Sequence, residues 1–238
     1  GGGLLVFPPP ARPRLVRWIA TLVAFAVLTL SLYTFGFYDH EAGGFQFTRT
    51  WDWLELPGPW PLGDKGITFA LGVDGISLSL AAMSALLFVA ALAWPQVLGA
   101  RARHWYAWLL FLQGVSLGVF LALDLLLFYV FFDLSLVGMY FLIGRWGHGD
   151  APRAALKFFL YTLTGSLVML VAVIHTIGQA GTANIAALTE WTTTQDLATQ
   201  GWLFAAFALA FAIKVPLIPL HTWMADAHTE APTSGSVI

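Results

Sequence analysis

Lys214 lies within an apolar stretch of the sequence and is followed closely by Pro216 and Pro219. A charged side chain near the centre of a bilayer costs roughly 2.5–3.5 kcal/mol, so an ionisable residue there is a candidate functional site. Both prolines lack an amide proton, which leaves the carbonyls of Ala212 and Val215 without their helical donors and predicts a kink or break. Broken helices beside an ionisable group are typical of ion pathways in transporters, and a structural kink without transport is the alternative.

Asp133 is a second ionisable residue inside an apolar run, residues 125–143. Helical spacing places Tyr129, Asp133 and Tyr140 on one face, which predicts a polar stripe directed into the protein. One interpretation is a carboxyl group kept neutral, or paired, to hold helices together. The other interpretation is that Asp133 and Lys214 form a switchable pair that holds or releases a proton near neutral pH.

A longer polar stripe follows on the next predicted helix, where hydroxyls and bases could support a chain of waters. Its members, at steps of three and four, are Lys157, Tyr161, Thr164, Val168, Val171 and His175. Small residues such as Thr162, Gly165 and Ser166 also suit close helix packing in a membrane. Lys157 could instead extend to the cytoplasmic surface, and His175 could be an ordinary interfacial histidine.

The composition identifies an integral membrane protein, because 58% of the 238 residues are hydrophobic and only 10% are charged. The sequence contains no cysteine, which excludes disulfides, thiolate metal sites and iron–sulfur clusters in this segment. No basic patch suggests nucleic acid. The first residue is glycine, no signal peptide follows, and the last residues do not complete a helix, so we expect a fragment of a longer protein.

Segments of about 20 apolar residues can cross a membrane. The predicted spans are 15–37, 75–98, 105–123, 125–144, 154–177 and 202–220, the last one broken. Residues 38–74 form a loop rich in Trp, Pro and Gly, and residues 179–201 form a polar loop, neither large enough for a separate domain. The predicted fold class is therefore all-α, a polytopic transmembrane helical bundle forming a single membrane domain over residues 1–238.

Positively charged residues cluster on alternate links between the spans, which sets the orientation. Eight of the 11 basic residues are Arg12, Arg14, Arg17, Arg101, Arg103, Arg145, Arg153 and Lys157. The other links carry mainly acids, namely Asp39, Glu41, Asp52, Glu55, Asp64, Asp74, Asp124, Glu190 and Asp196, against only Arg49 and Lys65. The basic links are predicted to be cytoplasmic.

Residues 212–237 contain a long and specific motif. Three more motifs, at residues 72–77, 128–143 and 156–167, occur in the order and spacing of the same family. Together they resemble the antiporter-like, proton-translocating subunits of NADH:quinone oxidoreductase (respiratory complex I), of the subunit M type. The resemblance covers nearly the whole chain. It implies a proton channel with a discontinuous helix at 202–220, coupled to electron transfer elsewhere in the complex.

The resemblance also implies roles for individual residues. Asp133 matches the essential carboxylate of the family, and Lys214 matches its partner lysine on the broken helix. Lys157 matches a lysine that continues the proton path. His221 and His228 match histidines after the break, where a relay and a solvated structural role are both open.

The resemblance implies no cofactor and no metal in this subunit, with NADH, FMN, iron–sulfur clusters and quinone in other subunits. The chain would be a non-redox subunit of a proton-pumping translocase. The implied partners are other membrane-arm subunits and the lipid bilayer, without nucleic acid, and the implied location is the bacterial plasma membrane, with several membrane passes.

The sequence departs from the family pattern at a few positions. The family usually has Glu at position 133, and the shorter Asp could lengthen the pair or admit a water. Gly138 replaces a common Pro, and Met224 and Ala225 replace Leu-Pro. The alternatives are a subunit of a Na⁺/H⁺ antiporter or of a membrane-bound hydrogenase with the same fold, and a non-conducting structural subunit of the membrane arm.

Overall fold

The computed structural model describes residues 13–54, 67–95 and 101–238. Its helices in chain order are α1 (Pro13–Phe37), α2 (Gly75–Ala93), α3 (Ala102–Leu121), α4 (Leu125–Trp146), α5 (Ala151–Ala180), α6 (Ile185–Thr193), α7 (Leu197–Lys214), α8 (Thr222–Glu230) and α9 (Thr233–Val237). Helices α1 to α5 and α7 are long and apolar enough to cross a membrane. The prediction of a polytopic helical membrane protein is confirmed.

An antiparallel pair of strands, β1 (Gln46–Leu54) and β2 (Ile67–Val73), lies in the segment predicted only as a loop. Thr and aromatic residues, which favour strands, recur in β1. Strand β2 contacts the following helices, since the Leu123 amide donates to the Ala70 carbonyl at 2.9 Å. The all-α description therefore needs one addition, a hairpin on the predicted outer side.

Side-chain caps begin four of the helices. Asp74 forms a capping box with Ser77 at the start of α2, and Asp124 accepts the amides of residues 126 and 127 at the start of α4. Asn184 and Asp196 cap α6 and α7 in the same way. Such caps satisfy amides that have no partner within the helix, and two of them fall within the predicted polar loop 179–201.

Two regions of the core decide how the helices sit against each other. One lies between α1, α2 and α3 and includes the fully buried Trp105 and Leu109. The other lies between α4, α5 and α7 and includes Phe132, Met169 and Ala210. The second region packs α7 against α5 and places it beside Phe132 of α4, the helix that carries Asp133.

Helix ends differ from the predicted spans by several residues. Helix α5 extends three residues further at each end than the predicted 154–177, and α7 begins at Leu197 and ends at Lys214 rather than covering 202–220. Outside the described residues lie Arg12, Glu55, Asp64, Lys65 and the last residues of the predicted span 75–98.

Candidate functional site

The chain leaves the α7 helix directly after Lys214. Pro216 has no amide proton to donate to Ala212, and the Leu217 amide donates to the Ala212 carbonyl instead, at 2.9 Å. Residues 215–221 form turns before α8 begins. The predicted break therefore occurs, and its first free carbonyl is satisfied within the chain.

Trp223 satisfies the next carbonyl at the break. Its indole Nε1 donates to the Ile213 carbonyl at 2.9 Å. The side chain is only 8% exposed, and its ring lies 5.1 Å from the ring of Phe158 on α5. Trp223 thus ties α8 to the end of α7 and to α5. Sequence reasoning did not single out this residue.

The break lies at the middle of the helical bundle. Gly165 is near the centre of the 30-residue helix α5. A Cβ added to Gly165 would lie 2.8 Å from Ile213 Cδ1 and 3.4 Å from Ala210 Cα, so α7 packs directly on this glycine. Since Lys214 follows Ile213, its backbone is near the level of the α5 midpoint, far from either end of that helix.

The Lys214 ammonium reaches the adjacent segment of α4. Its Nζ donates to Ser135 Oγ at 3.0 Å and lies 4.9 Å from the centre of the Phe132 ring. Ser135 itself donates to the Phe132 carbonyl at 2.6 Å. The ammonium thus has one hydroxyl acceptor and one aromatic face, and aromatic faces attract cations. Ser135, two residues from Asp133, is a further site residue that sequence reasoning missed.

Asp133 is close to Lys214 without a direct ion pair between them in the described residues. The negative charge of the Asp133 carboxylate attracts the Lys214 ammonium. One carboxylate oxygen, Oδ1, is buried and has no hydrogen-bond partner in the described part of the chain. Tyr129, one turn earlier, is buried in the same part of the core, and its hydroxyl lies near Asp133 and Ser166 of α5. The Asp133 carboxyl group therefore lies near both a tyrosine and a lysine.

Lys157 forms an ion pair that sequence reasoning missed. Its Nζ lies 2.6 Å from Asp226 Oδ2 on α8, and the two side chains are 41% and 51% exposed. The pair lines a cleft of about 510 Å³ between α5 and α8. Because 69 residues separate the partners, helical periodicity could not have indicated this contact.

The remaining candidates lie apart from Lys214. His221 precedes α8 and is half-buried, with Nδ1 buried and unpaired among the described residues. His228 is exposed in the last turn of α8. The ring of His175 lies 4.8 Å from that of Trp202.

Part of the face predicted as a polar stripe on α5 is exposed in the described chain. Thr164 is exposed, and its hydroxyl donates to the Leu160 carbonyl of its own helix. Val168 and Val171 are also exposed. By contrast, Thr162 and Ser166 are buried, in agreement with the alternative of close helix packing. No cluster of three or more His, Cys, Asp or Glu residues arranged for a metal ion occurs in the described ranges.

Solved structures with a similar fold define the class of protein. The structure titled "Respiratory complex I from Thermus thermophilus with bound NADH" matches with a TM-score of 0.80 and 32% identity, over 99% of this chain and 46% of that chain. The Mrp complex from Dietzia sp. DQ12-45-1b matches over 99% of this chain and 25% of that chain with a TM-score of 0.78, and at 18% identity it shows the fold alone. The fold is that of the antiporter-like membrane subunits.

Sequence comparison identifies the family. Residues 122–238 match the family described as "NADH:quinone oxidoreductase/Mrp antiporter, TM". The chain is 36% identical to NADH-quinone oxidoreductase subunit M of Rhodobacter capsulatus, over 96% of this chain and 45% of that protein. It is 38% identical to NADH-ubiquinone oxidoreductase chain 4 of Arabidopsis thaliana, over 100% and 46%. The chain belongs to this family of multi-pass membrane proteins, and it spans about half the length of these curated relatives.

Proposed function

We propose that this chain is part of a proton-translocating membrane-arm subunit of NADH:quinone oxidoreductase. The observation that carries the proposal is the position of Lys214, the last residue of the broken helix α7, at the middle of the bundle. Its ammonium lies beside the α4 segment that contains Asp133. The similarity to subunit M proteins supports the same assignment. NADH, FMN, iron–sulfur clusters and quinone would be bound by other subunits.

In this mechanism Lys214 and Asp133 alternate between a close and a separated arrangement. Electron transfer in a distant module changes the field along the membrane arm, and withdrawal of the carboxylate expels the proton from Lys214 Nζ. Translocation against the membrane potential requires about 2.3 kcal/mol per charge for each 100 mV. Removing one partner from a buried charge pair changes the energy by roughly 3–5 kcal/mol, so the pair can supply the required energy.

The remaining candidates extend the path toward the predicted cytoplasmic side. Lys157 on α5 would exchange protons with the region of the break. His221 and His228 would act at the junction after the break, where Nδ1 of His221 is buried without a hydrogen-bond partner in the described ranges. The implied location is the bacterial plasma membrane, with the basic links in the cytoplasm.

The test is proton pumping by the complete complex reconstituted in liposomes. We expect Lys214→Ala and Asp133→Asn to abolish or strongly reduce pumping, while Asp133→Glu, the residue usual in the family, is tolerated. Arg49→Ala is the control, because this cation is exposed on strand β1 and lies outside the proposed proton path. Undiminished pumping by Lys214→Ala would exclude the proposed role.

The family description also covers Mrp antiporters, which keeps sodium/proton exchange as a second candidate. Sodium/proton exchange predicts sodium-dependent proton movement that is driven by an ion gradient and needs no electron donor. A hydrogenase subunit would instead require hydrogen metabolism in the same complex. A purely structural subunit makes a third prediction. In that case Lys214→Ala changes the amount of assembled complex but leaves pumping per complex unchanged.

A further inference from the structure

The Lys157–Asp226 ion pair joins two helices at the edge of an open cleft. The two atoms are 2.6 Å apart, yet both side chains remain about half exposed. Asp150, Arg153 and Glu230 also line the cleft, so both charge signs face the pair. Exposed ion pairs contribute little to stability. A purely structural purpose is therefore a weak explanation for this contact.

The cleft lies between the predicted cytoplasmic link and the helix break. The His148 amide, in the link between α4 and α5, donates to the Glu230 carbonyl at the end of α8 at 2.7 Å. Lys157 precedes Gly165 by eight residues, or roughly 12 Å along a helix. Gly165 packs against Ile213, the neighbour of Lys214. The ion pair is thus within two helical turns or so of the level of the break.

An apolar cluster adjoins both the helices of the cleft and the end of α7. It contains Leu136, Phe158 and Trp223, with Tyr140 and Tyr161 partly buried against it. The two tyrosines bring hydroxyl groups to this otherwise apolar cluster, whereas the ion pair lies on the side open to solvent. A proton arriving from the predicted cytoplasmic side would therefore meet the Lys157–Asp226 pair before it reached the cluster.

We infer that Asp226 is a positioning residue whose carboxylate holds the Lys157 ammonium in this cleft, making the ion pair the cytoplasmic end of the proton path to Lys214. The inference rests on the proposed function. It adds Asp226, which the predicted site did not include, and it gives Lys157 a defined partner. The negative charge of residue 226, rather than its packing, is the property that matters.

The absence of cysteine from this chain allows a direct test of that charge. Asp226→Cys is introduced into the complete complex and reacted with one of two methanethiosulfonates, bearing either a sulfonate or a trimethylammonium group. We expect Asp226→Cys to lose pumping, the sulfonate to restore it and the trimethylammonium group to leave it low. Asp226→Glu should pump like the parent. The parent complex treated with each reagent controls for reaction at cysteines elsewhere in the complex.

Two results would overturn the inference. One is parental pumping by both Asp226→Asn and Asp226→Cys, and the other is lost pumping that neither reagent nor Asp226→Glu restores. Pumping is divided by the amount of assembled complex, so that a folding defect is not read as a lost function. Lys214→Ala is measured in parallel. If Lys214→Ala abolishes pumping and Asp226→Asn does not, only the role of Asp226 fails, whereas parental pumping by Lys214→Ala rejects the proposed function itself.

Discussion

The indole of Trp223 is hydrogen-bonded to the carbonyl of Ile213, at 2.9 Å, across the helix break. Ile213 is the residue before Lys214, so this bond fixes the backbone that carries the ammonium. The same indole ring packs against Phe158 on α5. One side chain therefore links α7, α8 and α5 at the point where regular helical hydrogen bonding stops.

Replacing Trp223 with Phe keeps an aromatic ring but removes the donor. A buried carbonyl left without a partner costs roughly 1–3 kcal/mol, so we expect a lower thermal unfolding temperature and reduced pumping. Thermal unfolding of the purified complex in detergent measures the first effect. Trp94→Phe is the matched control, because Trp94 is 58% exposed. Equal losses in both variants would contradict a special role for the Trp223 bond.

Gly165 should not tolerate a large side chain. Its added Cβ would already lie 2.8 Å from Ile213 Cδ1, so Gly165→Leu must push α7 away from α5. Overpacking of this kind costs about 1–3 kcal/mol. Gly114→Leu is the control, since Gly114 is also helical and no atom lies within 4 Å of its added Cβ. We expect Gly165→Leu alone to lower the thermal stability and the pumping rate, and equal tolerance of both substitutions would exclude close packing at Gly165.

Ser135→Ala removes the hydrogen-bond acceptor of the Lys214 ammonium. A hydrogen bond to a charged group contributes roughly 1.5–3 kcal/mol, so the energy of the charged lysine should change measurably. We expect slower pumping with electron transfer still coupled, because Asp133 remains. Ser79→Ala is the control, since the Ser79 hydroxyl donates to the Gly75 carbonyl of its own helix. Parental pumping rates in Ser135→Ala would show that Ser135 does not tune Lys214.

The caps Asp124 and Asp196 should affect stability with opposite dependence on pH. Burial raises the pKa of Asp124 above its ordinary value, although the carboxylate accepts hydrogen bonds from the amides of Leu127, Thr68 and Leu126. The folded state then binds this proton more tightly than the unfolded state. The associated stability is fully present at low pH and is lost as pH rises through the raised pKa.

Asp196 behaves in the reverse sense. Hydrogen bonds from the side chain and amide of Thr199 lower the pKa of Asp196, so its contribution is present above the ordinary value and is lost as pH falls. Thermal unfolding from about pH 3 to pH 6 covers the ordinary range of aspartate. The stability of Asp124→Asn relative to the parent should increase as pH rises. Asp196→Asn should be less stable than the parent at the upper end of this range, and the difference should shrink as pH falls. Parallel curves for parent and variants would contradict both assignments.

Sequence patterns predicted the features that depend on local chemistry. Apolar segments of sufficient length indicated the membrane helices, and Pro216 located the break because a missing amide proton acts on its own helix. The hairpin was missed although alternation was present, with the aromatic residues Phe47, Trp51 and Trp53 at alternate positions of β1, interrupted by Arg49. The Trp, Pro and Gly content of residues 38–74 indicated a loop more strongly than this alternation indicated strands.

Contacts between distant segments could not be predicted in the same way. Ser135 meets Lys214 across 79 residues, and Asp226 meets Lys157 across 69. Each partner lies on a different helix, and the rotation of one helix against another depends on packing of the whole bundle. Periodicity gives the face of a single helix but not the helix that it meets. The Asp133–Lys214 pair stays a prediction, and the hydrogen-bond acceptor of the Lys214 ammonium is Ser135.

The end of α7 at Lys214 has an electrostatic consequence for the ammonium. The last carbonyls of a helix carry a combined partial charge of about −0.5, and a cation in the last turn is stabilised by it. Lys214 is the basic residue in the last turn of α7. The peptide dipoles of the broken helix thus act as a permanent counter-charge within the membrane, one that neither titrates nor moves away. In the proposed mechanism, Asp133 would then need to supply only the variable part of the field.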